Sequence, residues 1–148
     1  MEQRIDIYKV APPEVHKIMM EMVKYTKTTG IDRKLRDLIN IRASQINGCA
    51  HCLNMHTADA RKMGETEQRI YCISAWQECE FYTEAEKVAL ELTEHVTLIP
   101  TKRVPDELYQ RVREYYDEKQ YVDFVLIVNQ INSWNRISIA MGMTATEK

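Results

Sequence analysis

The sequence has few of the residues that interrupt helices. Four glycines and four prolines are spread over 148 residues, and the stretches between them are long. Proline breaks a helix interior and glycine weakens it, so their scarcity favours helices. Apolar residues recur at spacings of three and four through most of these stretches. We therefore predict an all-α fold, a compact domain of about seven helices, and identify no strand.

The chain also lacks an excess of charge of one sign. Its 20 Lys and Arg residues nearly balance 22 Asp and Glu residues, giving a net charge of −2 and no electrostatic attraction to nucleic acid. No apolar run approaches the roughly 18 residues of a membrane span, and the charged N-terminus has no signal-peptide core. We expect one domain over residues 1–148, in the cytoplasm, with no membrane partner.

Cysteines are too few, and in the wrong setting, for a disulfide framework. There are four of them, and the cytosol keeps thiols reduced. Cys72 and Cys79 stand alone in the sequence, and we interpret them as small buried apolar residues. Cys49 and Cys52 are only three positions apart and need another explanation.

Periodicity and capping residues predict the helix boundaries. A first long helix runs over about 13–29, and a second begins after Asp32 and ends at Asn47-Gly48. The cysteine pair then starts a third helix, which Gly64 ends. Thr66 and the Thr83-Glu86 pair cap two further helices, while Pro100 and Pro105 bracket a loop. The last two helices follow, and the β-branched run VDFVLIV belongs to the final one, because helical spacing continues beyond it.

The segment NGCAHCLNMH carries the chemistry. Cys49, Cys52 and His56 fall within roughly 60° of one another around a helix, so their side chains share a face. His56 lies one turn beyond Cys52 and can exchange a proton with its thiol. Cys49, at the helix N-terminus, is closer to the positive end of the helix dipole. Spacing alone does not decide which thiol attacks first.

A C-x-x-C pair can close a disulfide without unfolding the start of its helix. This suits a cycle in which one sulfur is oxidised and the other resolves it. The competing interpretation is zinc, with Cys49, Cys52 and His56 as ligands and Asp37, His51 or a water as the fourth. Structural zinc sites usually take ligands from two separated pairs, and no second pair is present. Helical geometry places His51 on the opposite side from the cysteines, as a surface or interface residue.

The stretch LRDLINIRASQINGCAHCLNMHTADARKMG, with AWQECEFYTEAEKVALELTEHVT after it, resembles the alkylhydroperoxidase D-like proteins of the carboxymuconolactone decarboxylase superfamily. The likeness covers about residues 13–140. Its specific motif is an acidic residue, then eleven positions, then C-x-x-C-x-x-x-H. Here the acidic residue is Asp37, where the family usually has Glu.

This resemblance implies an all-helical trimer or hexamer that reduces hydroperoxides and is re-reduced by an external dithiol or disulfide partner. It implies that Cys52 meets the peroxide, that Cys49 resolves it, and that His56, His51 and Asp37 form a proton relay. No cofactor is implied. The decarboxylases of the superfamily generally lack the cysteine pair, so its presence argues against that activity.

The leading hypothesis is therefore a thiol peroxidase. Two alternatives stay open: a non-enzymatic module that binds metal or a partner, and a general dithiol-disulfide oxidoreductase. Trp134, Tyr115, Tyr116 and several Met and Ile residues would give a monomer a large apolar patch, which independently predicts a homo-oligomer.

Overall fold

The structure is a computed structural model that describes residues 2–146, and within that range it contains helices and no strand. These described residues form nine α-helices and one 3₁₀ helix, Ile73–Glu78, which lies between α5 and α6. The α-helices are α1 (Ile7–Val10), α2 (Pro13–Thr28), α3 (Arg33–Asn47), α4 (Ala50–Lys62), α5 (Glu67–Cys72), α6 (Glu84–Thr97), α7 (Ile99–Lys102), α8 (Asp106–Arg113) and α9 (Glu118–Met141). The all-α prediction is confirmed.

Local sequence explains where the long helices begin and end. The Asp32 carboxylate accepts a hydrogen bond from the Leu35 amide and starts α3, and Thr83 with Glu86 forms the expected capping box of α6. Gly48 ends α3 with φ of 68°, a left-handed conformation that glycine adopts without steric cost. The predicted limits of α2, α3 and α4 agree with the structure within one or two residues.

The predicted count of about seven helices omitted α1 and α7, each of which is a single helical turn. Asp6 caps α1 by accepting a hydrogen bond from the Tyr8 amide. The segment expected to be a loop between Pro100 and Pro105 contains α7, because Pro100 lies in its first turn, where proline favours a helix. The helix expected after Thr66 also ends early, and the 3₁₀ helix continues from it with a kink at Ala75.

Helix α3 occupies the centre of the fold and packs against α4, α6 and α9. One side of α3 contributes Leu35 and Ile39 to a core shared with α6, α8 and α9, which includes the fully buried Phe124. The other side contributes Leu38 and Ile41 to a second core with α4, α5 and α6. A third, smaller cluster joins Ala43, Cys49, Cys52 and Ile131. The cysteine pair is thus held between α3, α4 and α9.

Candidate functional site

The cysteine pair forms a disulfide at the start of α4. Cys49 is the N-cap residue of that helix, and its Cα atom lies 5.4 Å from that of Cys52. The amide of Cys52 donates a hydrogen bond to Cys49 Sγ at 3.3 Å. Gly48 makes the tight turn between α3 and α4. The end of the helical pattern at Asn47-Gly48 therefore positions the cysteine pair directly.

The two sulfurs have different surroundings although both residues are only 1% exposed. Cys52 lines a cavity of about 310 Å³. Both cysteines pack in the small apolar cluster with Ala43 and Ile131, but Cys49 is not among the residues that line the cavity. A small molecule that enters the cavity therefore meets Cys52 first.

His56 lies one turn after Cys52 and lines the same cavity. Burial lowers the pKa of His56 from 6.5 to about 4, because the cationic imidazolium loses its hydration there, and nearby Asp59 opposes the effect only in part. The imidazole is consequently neutral near pH 7 and able to accept a proton. Within residues 2–146 no hydrogen bond holds its ring nitrogens.

His51 also lines this cavity, together with Cys52 and His56, although helical geometry predicted a surface or interface residue on the opposite side from the cysteines. The segment after α9 passes over the first turn of α4, where Met143 contributes to the cavity wall. His51 Nδ1 lies 3.4 Å from the carbonyl oxygen of Thr144 in this segment. Helical geometry alone could not predict this contact, because the segment that makes it lies far away in the sequence.

Asp37 reaches the cavity from α3 and is 6% exposed. Burial raises the pKa of its carboxyl group, and the charges of Arg36 and Arg33 counteract this only partly. Its Oδ2 atom is buried with no hydrogen-bond partner in the described chain, and the same holds for Oδ1 of Asn40 one turn later. Asp37 and the histidines thus share a cavity but are not directly hydrogen-bonded to one another.

Sequence reasoning missed several residues of this site. Ser138 on α9 places its Oγ 3.8 Å from Cys52 Sγ, and Trp134 lines the cavity one turn earlier on the same helix. Arg36 and Asn40 border it from α3. The sequence does contain a signal for the α3 residues of the site, because charged and amide side chains interrupt the apolar run from Leu35 to Ile41. Ser138 has no comparable signal.

Three other predictions concern the remaining cysteines, a metal site and a membrane span. Cys72 and Cys79 are free and half-buried, so they are less enclosed than expected. Among residues 2–146, no group of three or more His, Cys, Asp or Glu side chains has the arrangement of a metal site. No helix within the same range has the length and apolar character needed to cross a membrane.

The apolar residues that are exposed in the structure differ from those that the sequence predicted. Tyr115 is exposed, whereas Tyr116 packs against the core and Trp134 against the cavity, both half-buried. Exposed apolar residues lie along α2, at Val15, Ile18, Met22 and Tyr25. These residues are spaced by three and four positions and form one stripe.

Comparison with known proteins identifies a family and a relative that the sequence matches. Residues 13–95 match the carboxymuconolactone decarboxylase family. Over all 148 residues, which are 100% of both chains, the sequence is 70% identical to YdfG, an uncharacterised protein of Bacillus subtilis strain 168.

Solved structures share the fold. A protein of unknown function from Agrobacterium tumefaciens, for which the antioxidant defence protein AhpD is the suggested assignment, superposes with a TM-score of 0.94 and 33% identity, covering 99% of this chain and 100% of its own. The apo structure of the debrominase Bmp8 has a TM-score of 0.81 and 21% identity, over 91% of this chain and 72% of its own. At that identity the second likeness shows the fold alone.

Proposed function

The chain belongs to the carboxymuconolactone decarboxylase family, and we propose that within it this protein is a thiol peroxidase that reduces hydroperoxides through Cys52 and Cys49. The observation that carries the proposal is the asymmetry of the disulfide. Cys52 lines a cavity of about 310 Å³ together with His56, whereas Cys49, its neighbour in the same small apolar cluster, does not line it. The suggested assignment of the Agrobacterium tumefaciens protein as the antioxidant defence protein AhpD supports an antioxidant role.

The cycle begins with the reduced pair. The Cys52 thiolate attacks the terminal oxygen of the hydroperoxide, so that an S–O bond forms, the O–O bond breaks and the alkoxide leaves as the alcohol after taking a proton. Cys52 is then a sulfenic acid. The Cys49 thiolate attacks that sulfur, the disulfide forms, and hydroxide leaves as water after taking a second proton. An external dithiol reduces the disulfide and is itself oxidised to a disulfide.

His56 supplies the proton transfers in this scheme. Because its imidazole is neutral at pH 7, it can accept the proton of the Cys52 thiol and return it to the leaving alkoxide. Asp37 and His51 line the same cavity and complete the relay that the family resemblance implies. Since Asp37 Oδ2 has no hydrogen-bond partner among residues 2–146, an ordered water would link Asp37 to the histidines.

Helix α4 assists the second step. Cys49 is the N-cap residue of this helix, and the Cys49 sulfur accepts a hydrogen bond from the Cys52 amide. A thiolate at this position is stabilised by that hydrogen bond and by the positive end of the helix dipole. Cys49 is therefore suited to attack the sulfenic acid and, when the external dithiol attacks Cys52 Sγ, to leave as the thiolate.

Burial of the pair bears on the two alternatives. With both cysteines 1% exposed and only Cys52 lining the cavity, a folded protein disulfide cannot reach the sulfurs directly, so a small peroxide fits better than general protein-disulfide reduction. A zinc-binding module would need further ligands close to the cysteines, and the described residues offer no such cluster.

Thiol counting tests the proposal most directly. We would first replace Cys72 and Cys79 by serine, so that only the reactive pair is counted. One equivalent of hydroperoxide should then consume two thiols per chain. In Cys49→Ser a sulfenic acid should accumulate on Cys52, trapped by a dimedone-type reagent, whereas Cys52→Ser should not react. Loss of no thiols, or equal loss in Cys52→Ser, would contradict the proposal.

Two further assays separate the alternatives. Turnover of insulin disulfides without any reaction with peroxide would favour the general oxidoreductase. Stoichiometric zinc that protects both thiols would favour the metal-binding module. Within the peroxidase, His56→Gln and Asp37→Asn should slow the first step, and Asp37→Glu should retain more activity than Asp37→Asn if the carboxylate serves the relay.

A further inference from the structure

Arg36 is a buried cation without a counter-ion in the described chain. Its side chain lines the cavity, yet the residue is only 8% exposed. Nη1 donates a hydrogen bond to the carbonyl oxygen of Thr26 at 3.1 Å, and no carboxylate of residues 2–146 forms an ion pair with the guanidinium. Charged side chains are seldom buried unless they are paired. The remaining N–H donors of Arg36 are thus available to a ligand.

The charges around the cavity reinforce this point. Lys27 and Arg33 are exposed residues that also line it, and the structure gives neither an ion-pair partner within the described residues. Asp37 and Asp59 are the two carboxyl groups in its wall. Three cations against two carboxylates leave a surplus of one positive charge, in a chain whose overall net charge is −2. This cavity therefore favours an anion, and a monoanion balances it.

The other part of the cavity wall is apolar. Met20 and Val23 contribute from α2, Met55 from α4 and Trp134 from α9. Such a wall suits a hydrocarbon or aromatic group, and a cavity of about 310 Å³ has the size of a small-molecule site. A ligand that fits both parts is amphipathic, with one anionic end.

We propose that the cavity binds small organic carboxylates, with the carboxylate at Arg36 and the apolar body against Met55 and Trp134. A guanidinium matches the planar, singly charged carboxylate through paired N–H donors. The proposal deepens the proposed function, since it identifies the preferred hydroperoxide as one that carries a carboxylate and places its peroxide group at Cys52. Binding itself does not depend on the redox chemistry.

A purely structural role for Arg36 makes a different prediction. Thr26 lies in the last turn of α2, so the bond from Arg36 also satisfies a carbonyl at a helix C-terminus. If that were its entire role, replacing Arg36 would destabilise the protein without changing its preference between an acid and an uncharged analogue. The ratio of the two affinities, and not either affinity alone, separates these roles.

The experiment measures binding to the wild-type disulfide form by calorimetry, with no peroxide present. The probes are phenylbutanoate and decanoate, each compared with its own primary amide, and phenyl phosphate as a dianion. Because a hydrogen bond to a charged group contributes more than one to a neutral group, we expect each acid to bind at least about tenfold more tightly than its amide. Arg36→Gln should bring this ratio close to one, and Arg36→Lys should retain part of it.

A second variant keeps the test valid if Arg36→Gln does not fold. The double replacement Lys27→Gln with Arg33→Gln alters only exposed residues and should lower the acid-to-amide ratio several-fold. Equal affinity for acids and amides, no measurable binding of either, an unchanged ratio in the folded variants, or tighter binding of phenyl phosphate would overturn the proposal. Failure of the thiol-counting experiment would leave these affinities unchanged, so the two proposals fail independently.

Discussion

Oγ of Ser138 lies 3.8 Å from Sγ of Cys52, although the two residues are 86 positions apart. Ser138 belongs to α9 and is 2% exposed, whereas Cys52 belongs to the first turn of α4. When the disulfide is reduced, the serine hydroxyl can donate a hydrogen bond to the thiolate. Such a bond favours the charged form of a thiol and lowers its pKa.

Replacing Ser138 by alanine should therefore slow the reaction with hydroperoxide. The hydrogen bond to a charged sulfur is lost, which predicts a rate constant about tenfold lower. Stopped-flow measurement of the first step gives the rate, and the pH dependence of Cys52 alkylation should show a higher thiol pKa. Ser133→Ala is the matched control, because Ser133 is an exposed serine on the same helix. An unchanged rate and alkylation profile in Ser138→Ala would refute the role of this hydroxyl.

The parts of the site that could be predicted are those encoded locally. Gly48 ends α3 and Cys49 caps α4, so the placement of the cysteines at a helix N-terminus follows from neighbouring residues. The capping box at Thr83 was readable for the same reason. Hydrophobic periodicity similarly predicted the long helices, because it is present both in α3, whose apolar residues are buried, and in α2, whose apolar stripe is exposed.

The cavity could not be predicted, because distant segments build it. Trp134 and Ser138 come from α9, and Thr144, in the segment after α9, contacts His51. Their positions depend on how α9 packs across α3 and α4, which no local pattern specifies. The distinction between the two sulfurs is a consequence of that packing. From spacing alone, Cys49 and Cys52 were equivalent candidates.

Protonation of His56 should make the protein less stable in mild acid. The pKa of His56 is about 4 in the folded state and 6.5 as its ordinary value, so between these limits the unfolded chain binds a proton that the folded chain does not. Stability is therefore lost as pH falls from about 6.5 to about 4, by up to about 3 kcal/mol, with no further loss from this group below that range.

Urea unfolding at about pH 7 and pH 4.5 measures this effect. We expect His56→Gln to lose less stability than the wild type between the two values, because glutamine does not titrate. His16→Gln, which replaces an exposed histidine of α2, should behave like the wild type. An equal loss in His56→Gln and in the wild type would show that His56 is not buried as a neutral group.

Asp37→Asn should increase stability near neutral pH. Burial raises the pKa of Asp37, so the folded chain holds its proton more tightly than the unfolded chain. Its contribution to stability is consequently lost as pH rises through the folded pKa, the opposite direction to His56. Removing the buried charge should raise the free energy of unfolding at pH 7 by about 1 kcal/mol while the peroxide reaction slows.

The control for Asp37 is Asp59→Asn, which removes the other carboxyl group of the cavity wall from a half-buried position. Urea unfolding at pH 7 should show little change in this variant. Lower stability of Asp37→Asn than of the wild type would mean that the carboxylate has a stabilising partner, and the water-linked relay would have to be revised.

The apolar stripe of Val15, Ile18, Met22 and Tyr25 on α2 should lie in a subunit interface. Ile18 is its most exposed member, at 70%. Light scattering should give the wild type the mass of a trimer or hexamer of 17.4 kDa chains. Ile18→Glu should dissociate it, because each copy loses an apolar contact worth about 2 kcal/mol and places a charge in the interface.

Lys17→Glu makes a larger change of charge on a different face of α2 and should leave the mass unaltered. A monomeric wild type, or an Ile18→Glu variant of unchanged mass, would place the interface elsewhere or exclude it.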